Sequence, residues 1–276
     1  MNRPASGALS RRLRPLVVFA SLMALATMTF SLPPFTRPAH AELQSVGLPV
    51  DPANGFPQWY ADKNLQLQPC LDAGICSFLP TMLPDPDAPV SFPDNWPDEM
   101  FYYRAVAQTT VQTTVGKGRA TLTLATEGGF PNGVVDGEQK VFNRIRVVID
   151  SGLVPGATYK VTEPYGTVTL KADSRGRAKF TQDTGCIVLP CDFTLALGPA
   201  PKGSTAGSIG PFLTWNPAAA GGAAPAGYIG NFAVPHRVIG SPRGTNVFRI
   251  EEVNGTNLIK VGETFLFQLQ GKIAPQ

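Results

Sequence analysis

From Phe101 onward the chain alternates apolar and polar positions in short runs. In KVFNRIRVVID, starting at Lys140, Val141, Ile145, Val147 and Ile149 fall on one face of an extended strand, with Arg144 and Arg146 on the other. That is the period of two of a half-buried strand. FYYRAVAQTTV from Phe101 and RATLTLAT from Arg119 are further β-rich runs. ATYKVTEPYGTVTLKAD alternates on both sides of a turn at Pro164-Tyr165-Gly166. DSRGRAKF reads as a hairpin about Arg175-Gly176. DFTLAL, NVFRIEEV and ETFLFQLQGKI supply more strands, with Phe265, Phe267 and Leu269 facing one way in the last. No stretch keeps a helical period, and 28 Gly and 27 Pro punctuate the runs. The pattern predicts an all-β chain: an antiparallel β-sandwich, immunoglobulin-like, with long Pro/Gly-rich loops.

Outside these runs the texture differs in three places. Residues 1–41 hold four early arginines, the 17-residue apolar run LVVFASLMALATMTFSL and a small-residue site at Ala39-His40-Ala41. That order predicts a secretory signal peptide cut after Ala41. Residues 42–100 are proline-rich and read as an extended lead-in, with the sandwich over 101–276. Within it, 198–227 is nearly free of charge and full of Gly, Ala and Pro, which predicts a long excursion of the chain around one ordered piece, GPFLTW.

Removing the leader changes the electrostatics. Five of the 23 basic residues and none of the 20 acids lie in 1–41, so the remainder carries a net charge of −2. Nucleic acid is therefore not an expected partner. The strands are too few and irregular for a membrane barrel, so no membrane insertion is expected after leader removal. The expected location is secreted, periplasmic or associated with the cell surface. Four cysteines follow the leader, and an even number in an exported chain predicts disulfides; closeness in sequence favours Cys70–Cys76 and Cys186–Cys191. Neither pair is spaced as a zinc site requires.

The candidate chemistry is sparse. Ser208, in AGSIG, resembles a nucleophile elbow, but Pro211 follows at once and no acid lies between it and His236. Asp85, Asp87, Asp94 and Asp98 are clustered oxygens suited to calcium, or turn residues that cap their own backbone. Trp59, Tyr60, Trp96 and Trp215 are rings that could stack on sugars, or lock loops onto a core. Arg104 is expected to bridge back to Asp98 or Glu99. No catalytic residue and no cofactor is assigned.

GFPQWYADKNLQLQPC, PDPDAPVSFPDNWPDEMFYYRA, ATYKVTEPYG, IGPFLTW, APAGYIG and GTNVFRIE occur in that order. Over Gly55 to Gly271 the chain resembles a group of uncharacterised secreted bacterial β-sandwich proteins, in which a W-Y-x-D stretch leads into a cysteine pair and then S-F-P-D-N. The resemblance implies a surface or matrix protein, some relatives carrying appended immunoglobulin-like domains, and it implies no particular activity. At Asp62-Lys63-Asn64-Leu65 the chain lacks a glycine that the group carries, so the turn there must be built another way. The function expected is a non-catalytic, exported protein with a structural or adhesive role at the cell surface or in the extracellular matrix, meeting other surface proteins or glycans. The alternatives are a glycan-binding module using exposed tryptophans, or a secreted hydrolase.

Overall fold

The alternation over Lys140–Ile149 is realised as a strand in which every second residue is buried. It belongs to a computed structural model that describes residues 42–76 and 82–275; the leader expected at 1–41 lies outside them. In chain order the strands are β1 (Ser45–Val46), β2 (Tyr60–Ala61), β3 (Gln66–Gln68), β4 (Glu99–Thr113), β5 (Gly116–Gly129), β6 (Lys140–Ile149), β7 (Thr158–Glu163) and β8 (Gly166–Lys171). There follow β9 (Ala178–Gly185), β10 (Thr214–Trp215), β11 (His236–Ile239), β12 (Phe248–Asn254), β13 (Asn257–Thr264), β14 (Leu266–Gln270) and β15 (Lys272–Ile273).

The fold is all-β and every strand pairing is antiparallel. A seven-stranded sheet runs β10-β11-β14-β4-β5-β6-β9, a four-stranded sheet β13-β12-β7-β8, and a small one β1-β2-β3-β15. The seven-stranded sheet and β13-β12-β7-β8 form a β-sandwich over one buried cluster, in which Leu122, Leu124, Ile145 and Val147 share the interior with Tyr159, Val161, Phe248 and Ile250. These strand numbers are not the four-plus-three of a constant-type immunoglobulin domain.

The β4–β5 hairpin is the spine, because its strands are fifteen and fourteen residues long. A bulge between Phe101 and Tyr103 lets Tyr102 and Tyr103 both be buried. Tyr102 donates to the Pro57 carbonyl at 2.5 Å and meets the Tyr60 ring edge-on at 4.9 Å. Tyr103 and Tyr165 share a hydrogen bond at 3.1 Å, and Tyr165 donates on to the Pro211 carbonyl. On β6 the buried row includes Asn143, which accepts from Thr126 Oγ1 at 2.7 Å and donates to the Ala196 carbonyl at 2.6 Å. Its polar atoms are satisfied, so the row tolerates it.

Three expectations are corrected. DFTLAL forms a 3-10 turn, Phe193–Leu197, because the Asp192 carboxylate caps the Thr194 N–H and starts a turn instead of a strand. DSRGRAKF closes a tight turn, Asp173 N–H donating to the Arg177 carbonyl, but its arms do not continue as a hairpin: β8 belongs with β7 and β9 with β6, so the turn carries the chain from one sheet to the other. ETFLFQLQ is two strands that also change sheet, β13 pairing with β12 and β14 with β4. The break falls at Phe265, which is 38% exposed against 0% for Phe267 and Leu269. Its ring instead supports the Arg237 guanidinium at 5.1 Å.

The Pro-rich lead-in packs onto the sandwich. Its strands β1, β2 and β3 form a small sheet that β15 completes by pairing with β3, and Leu43, Phe56, Tyr60, Leu67 and Trp96 belong to the common core. The excursion at 198–227 is likewise anchored, by buried Ala206, Ile209, Phe212, Leu213 and Trp215. Gly207 shows how closely it docks: its φ is +82°, and a Cβ there would lie 2.4 Å from the Tyr165 carbonyl oxygen. Gly207→Ala is therefore expected to lower stability by about 2 kcal/mol, combining left-handed strain with a backbone clash. Urea unfolding checks this.

Candidate functional site

The four aromatic candidates do not come together. Tyr60 is fully buried, donates to the Phe193 carbonyl at 2.9 Å, and burial pushes its phenol up. Trp96 is buried against Phe56 in a stacked pair at 6.1 Å and against the edge of Phe92. Trp215 is buried in a stack on His236 with centroids 4.3 Å apart. Of the four, these three present no open ring face to a ligand. Trp59 differs. It is half-buried, and the backbone of Gly47 lies so close to its ring that a Cβ there would fall 2.8 Å from Cε2 and Nε1.

Trp59 lines a groove of about 540 Å³ together with Asp51, Asn54, Gln58, Gln68 and Pro69. The elements that place these residues are short and tightly tied. Asp51 accepts from the Ala53 N–H and from Asn54 Nδ2, and the Asn54 side-chain oxygen accepts from the Phe56 N–H. That nested turn holds one wall. Strand β3 holds the other: Leu67 turns into the core, which sends Gln68 outward, where it donates to the Ile273 carbonyl. Gln58 donates to the Pro49 carbonyl. An indole backed by glycine, with amides and a carboxylate around it, offers an apolar platform for a sugar C–H face and hydrogen bonds for its hydroxyls.

A second constellation lies on the outer face of the seven-stranded sheet. Register places Phe101 opposite Glu127, Glu127 opposite Phe142, and Arg144 opposite Asp183, with Glu99 two residues before Phe101. Arg144 grips Asp183 through two bonds, at 2.8 and 3.0 Å, and reaches both Glu127 oxygens at 3.2 Å. Glu127 is 6% exposed. Burial first, then the hydrogen bond it shares with Glu99 and that neighbour's charge, push its carboxyl up to about 8 despite Arg144. Arg104, expected to bridge to Asp98 or Glu99, stands between the rings of Phe101 and Phe232 at 4.6 and 5.0 Å; burial draws its pKa down, and the charges of Glu99 and Glu127 oppose that. Glu99 and Glu127 line a groove of about 360 Å³ with Asp98, Phe130, Lys140 and Phe142. The apolar–polar alternation from Arg119 stops at Thr126, one residue short of Glu127. A lone acid closing an apolar strand run was the available signal.

The calcium candidates serve turns or stand apart. Asp85 accepts from the Asp87 N–H, Asp94 is exposed, and Asp98 uses its carbonyl to accept from the Phe130 N–H. Among the described residues no three His, Cys, Asp or Glu side chains converge on a metal position. Asn95, not an aspartate, organises this loop: its amide donates to the Asp85, Ala88 and Pro89 carbonyls. Ser208 Oγ is buried and has no hydrogen-bond partner among the described residues, so none of them activates it. The disulfides are Cys70–Cys76 and Cys186–Cys191. Among the described residues no helix is long and apolar enough to cross a membrane. Comparison with family models, curated proteins and solved structures returns no match.

Proposed function

We propose that the protein is an exported, non-catalytic β-sandwich with a structural or adhesive role at the cell surface or in the extracellular matrix, and that it makes contact through carbohydrate held at the Trp59 groove. The observation that carries this reading is Trp59 itself, the half-exposed member of the four candidate rings, backed by Gly47 and ringed by Asp51, Asn54, Gln58 and Gln68. Two disulfides suit an oxidising compartment. The resemblance to secreted bacterial surface proteins points the same way. On a panel of neutral and acidic glycans the protein is expected to bind a subset, and Trp59→Ala is expected to weaken that binding at least about tenfold, in line with the loss of one stacked ring. Equal binding by the variant would remove the groove from the account.

A secreted hydrolase is the second reading, and Glu99 with Glu127 is the observation that favours it. Glu127, pushed up to about 8 by burial and by its neighbour Glu99, can exchange a proton with a substrate near neutrality. Arg144 is already committed to Asp183 and Glu127, which gives the cluster a structural use. Turnover of any ester or peptide substrate that disappears in Glu127→Gln would move the assignment to this site.

A further inference from the structure

Six cations gather at one end of the sandwich although residues 42–276 are net acidic. Lys117 and Arg119 lie at the start of β5, Lys171 ends β8, Arg175 and Arg177 lie in the turn that follows, and Lys179 is on β9; all six are exposed. Backbone contacts hold these segments together. Asp150 N–H donates to the Arg119 carbonyl at 3.0 Å and Leu153 N–H to the Gly176 carbonyl at 3.1 Å. A Cβ on Gly152 would lie 2.7 Å from the carbonyl carbon of Lys117.

Asp150 and Asp173 are the acids that share this ground, and each already faces an arginine: Arg119 to Asp150 at 3.5 Å, and Arg177 to Asp173 at 2.9 Å. Among the described residues Lys117, Lys171, Arg175 and Lys179 form no ion pair. Between these segments runs an open groove of about 580 Å³, lined by Val148, Asp150, Lys171, Asp173, Arg177 and Lys179 among others.

We propose that this groove binds an anionic polysaccharide, whose carboxylate or sulfate groups meet Lys171, Arg177 and Lys179 while its hydroxyls donate to Asp150 and Asp173. Unneutralised lysines supply attraction to spaced negative charges. The two carboxylates suit a ligand that also carries hydroxyl donors and disfavour a continuous phosphate backbone. No aromatic ring lines the groove, so nothing there stacks on nucleic-acid bases. Val148 gives a small apolar surface for a sugar ring. The inference uses different residues from the Trp59 groove and does not rest on it.

The test is calorimetric titration of the protein at low salt with polygalacturonate, which carries carboxylates, and with dextran sulfate, which carries sulfate esters. Neutral dextran, double-stranded DNA and phosphatidylglycerol vesicles complete the set. Binding to at least one of the first two is expected, weakening steeply as salt rises toward about 0.5 M. Which of the two binds more tightly identifies the acidic group. The double variant Lys171→Glu/Lys179→Glu is expected to lose at least about tenfold in affinity while melting like the wild type, since both side chains are exposed. Trp59→Ala should leave this binding unchanged. The proposal is overturned if neither polyanion binds, if the double variant binds as the wild type does, or if DNA or vesicles bind as tightly as the polysaccharide. Should the variant fail to fold, the wild-type comparison across the five probes still decides.

Discussion

Glu163→Gln is expected to stabilise the protein by on the order of 3 kcal/mol at pH 8 and to change little at pH 5. Glu163 ends β7 at the tight connection to β8 and is completely buried. One carboxyl oxygen accepts from the Tyr165 N–H at 2.8 Å, and the other has no partner among the described residues. Burial pushes the group up to about 8, although the Tyr165 and Gly166 N–H groups and the Arg243 charge pull the other way. The folded state therefore holds a proton that the unfolded chain releases near pH 4.5. Stability from this group is full below that value, falls as pH rises, and stops falling above about 8. Glu127 adds a loss of the same sign in the same window. The carboxylates held low, Asp150, Asp173, Asp192 and Glu263, act in the opposite sense but at pH below about 4. Urea midpoints at pH 5.5, 7 and 8.5 should fall for the wild type and fall distinctly less for the variant. Parallel curves would mean that Glu163 is ionised in the fold.

Asp62→Ala is expected to cost about 3–4 kcal/mol. Its buried carboxylate accepts three backbone N–H groups: Asn64 and Leu65 on one oxygen, at 2.6 and 2.8 Å, and Phe212 on the other, at 2.6 Å. The first two build the turn from Asp62 to Leu65. The third fastens the Gly/Ala/Pro-rich excursion to the lead-in across 150 residues of sequence. Alanine would orphan all three donors: that of buried Phe212, that of half-buried Leu65 and that of Asn64 at the surface. Asp62→Asn keeps acceptor oxygen for part of the set and should cost roughly half as much. Urea unfolding measures both, and a loss below about 1 kcal/mol for alanine would mean that water reaches these groups.

How much of this was legible beforehand follows from how local each feature is. The β6 face at Val141, Ile145, Val147 and Ile149 could be read because side-chain alternation depends on the strand alone. The disulfides could be read because each pair is separated by only six or five residues. Phe265 was misplaced because alternation assumes one continuous strand, whereas the chain changes sheet there. DFTLAL was misread because strand propensity was weighed without the capping signal of Asp192. The pairing of Glu99 with Glu127 depends on the register of a long hairpin and on a bulge, neither of which has a period to read. The four aromatic candidates are alike in sequence. What separates Trp59 from Trp96 and Trp215 is the protein packed over each ring, and that is set by tertiary contacts.

The carbohydrate reading of Trp59 is tested most directly by following the indole N–H resonances of the three tryptophans during titration with whichever glycan the panel identifies. Trp59→Phe assigns one of them by its disappearance. The account predicts a progressive shift of the Trp59 signal, with the buried Trp96 and Trp215 signals unmoved. A glycan that binds while the Trp59 signal stays fixed, or one that moves Trp215 instead, would contradict it.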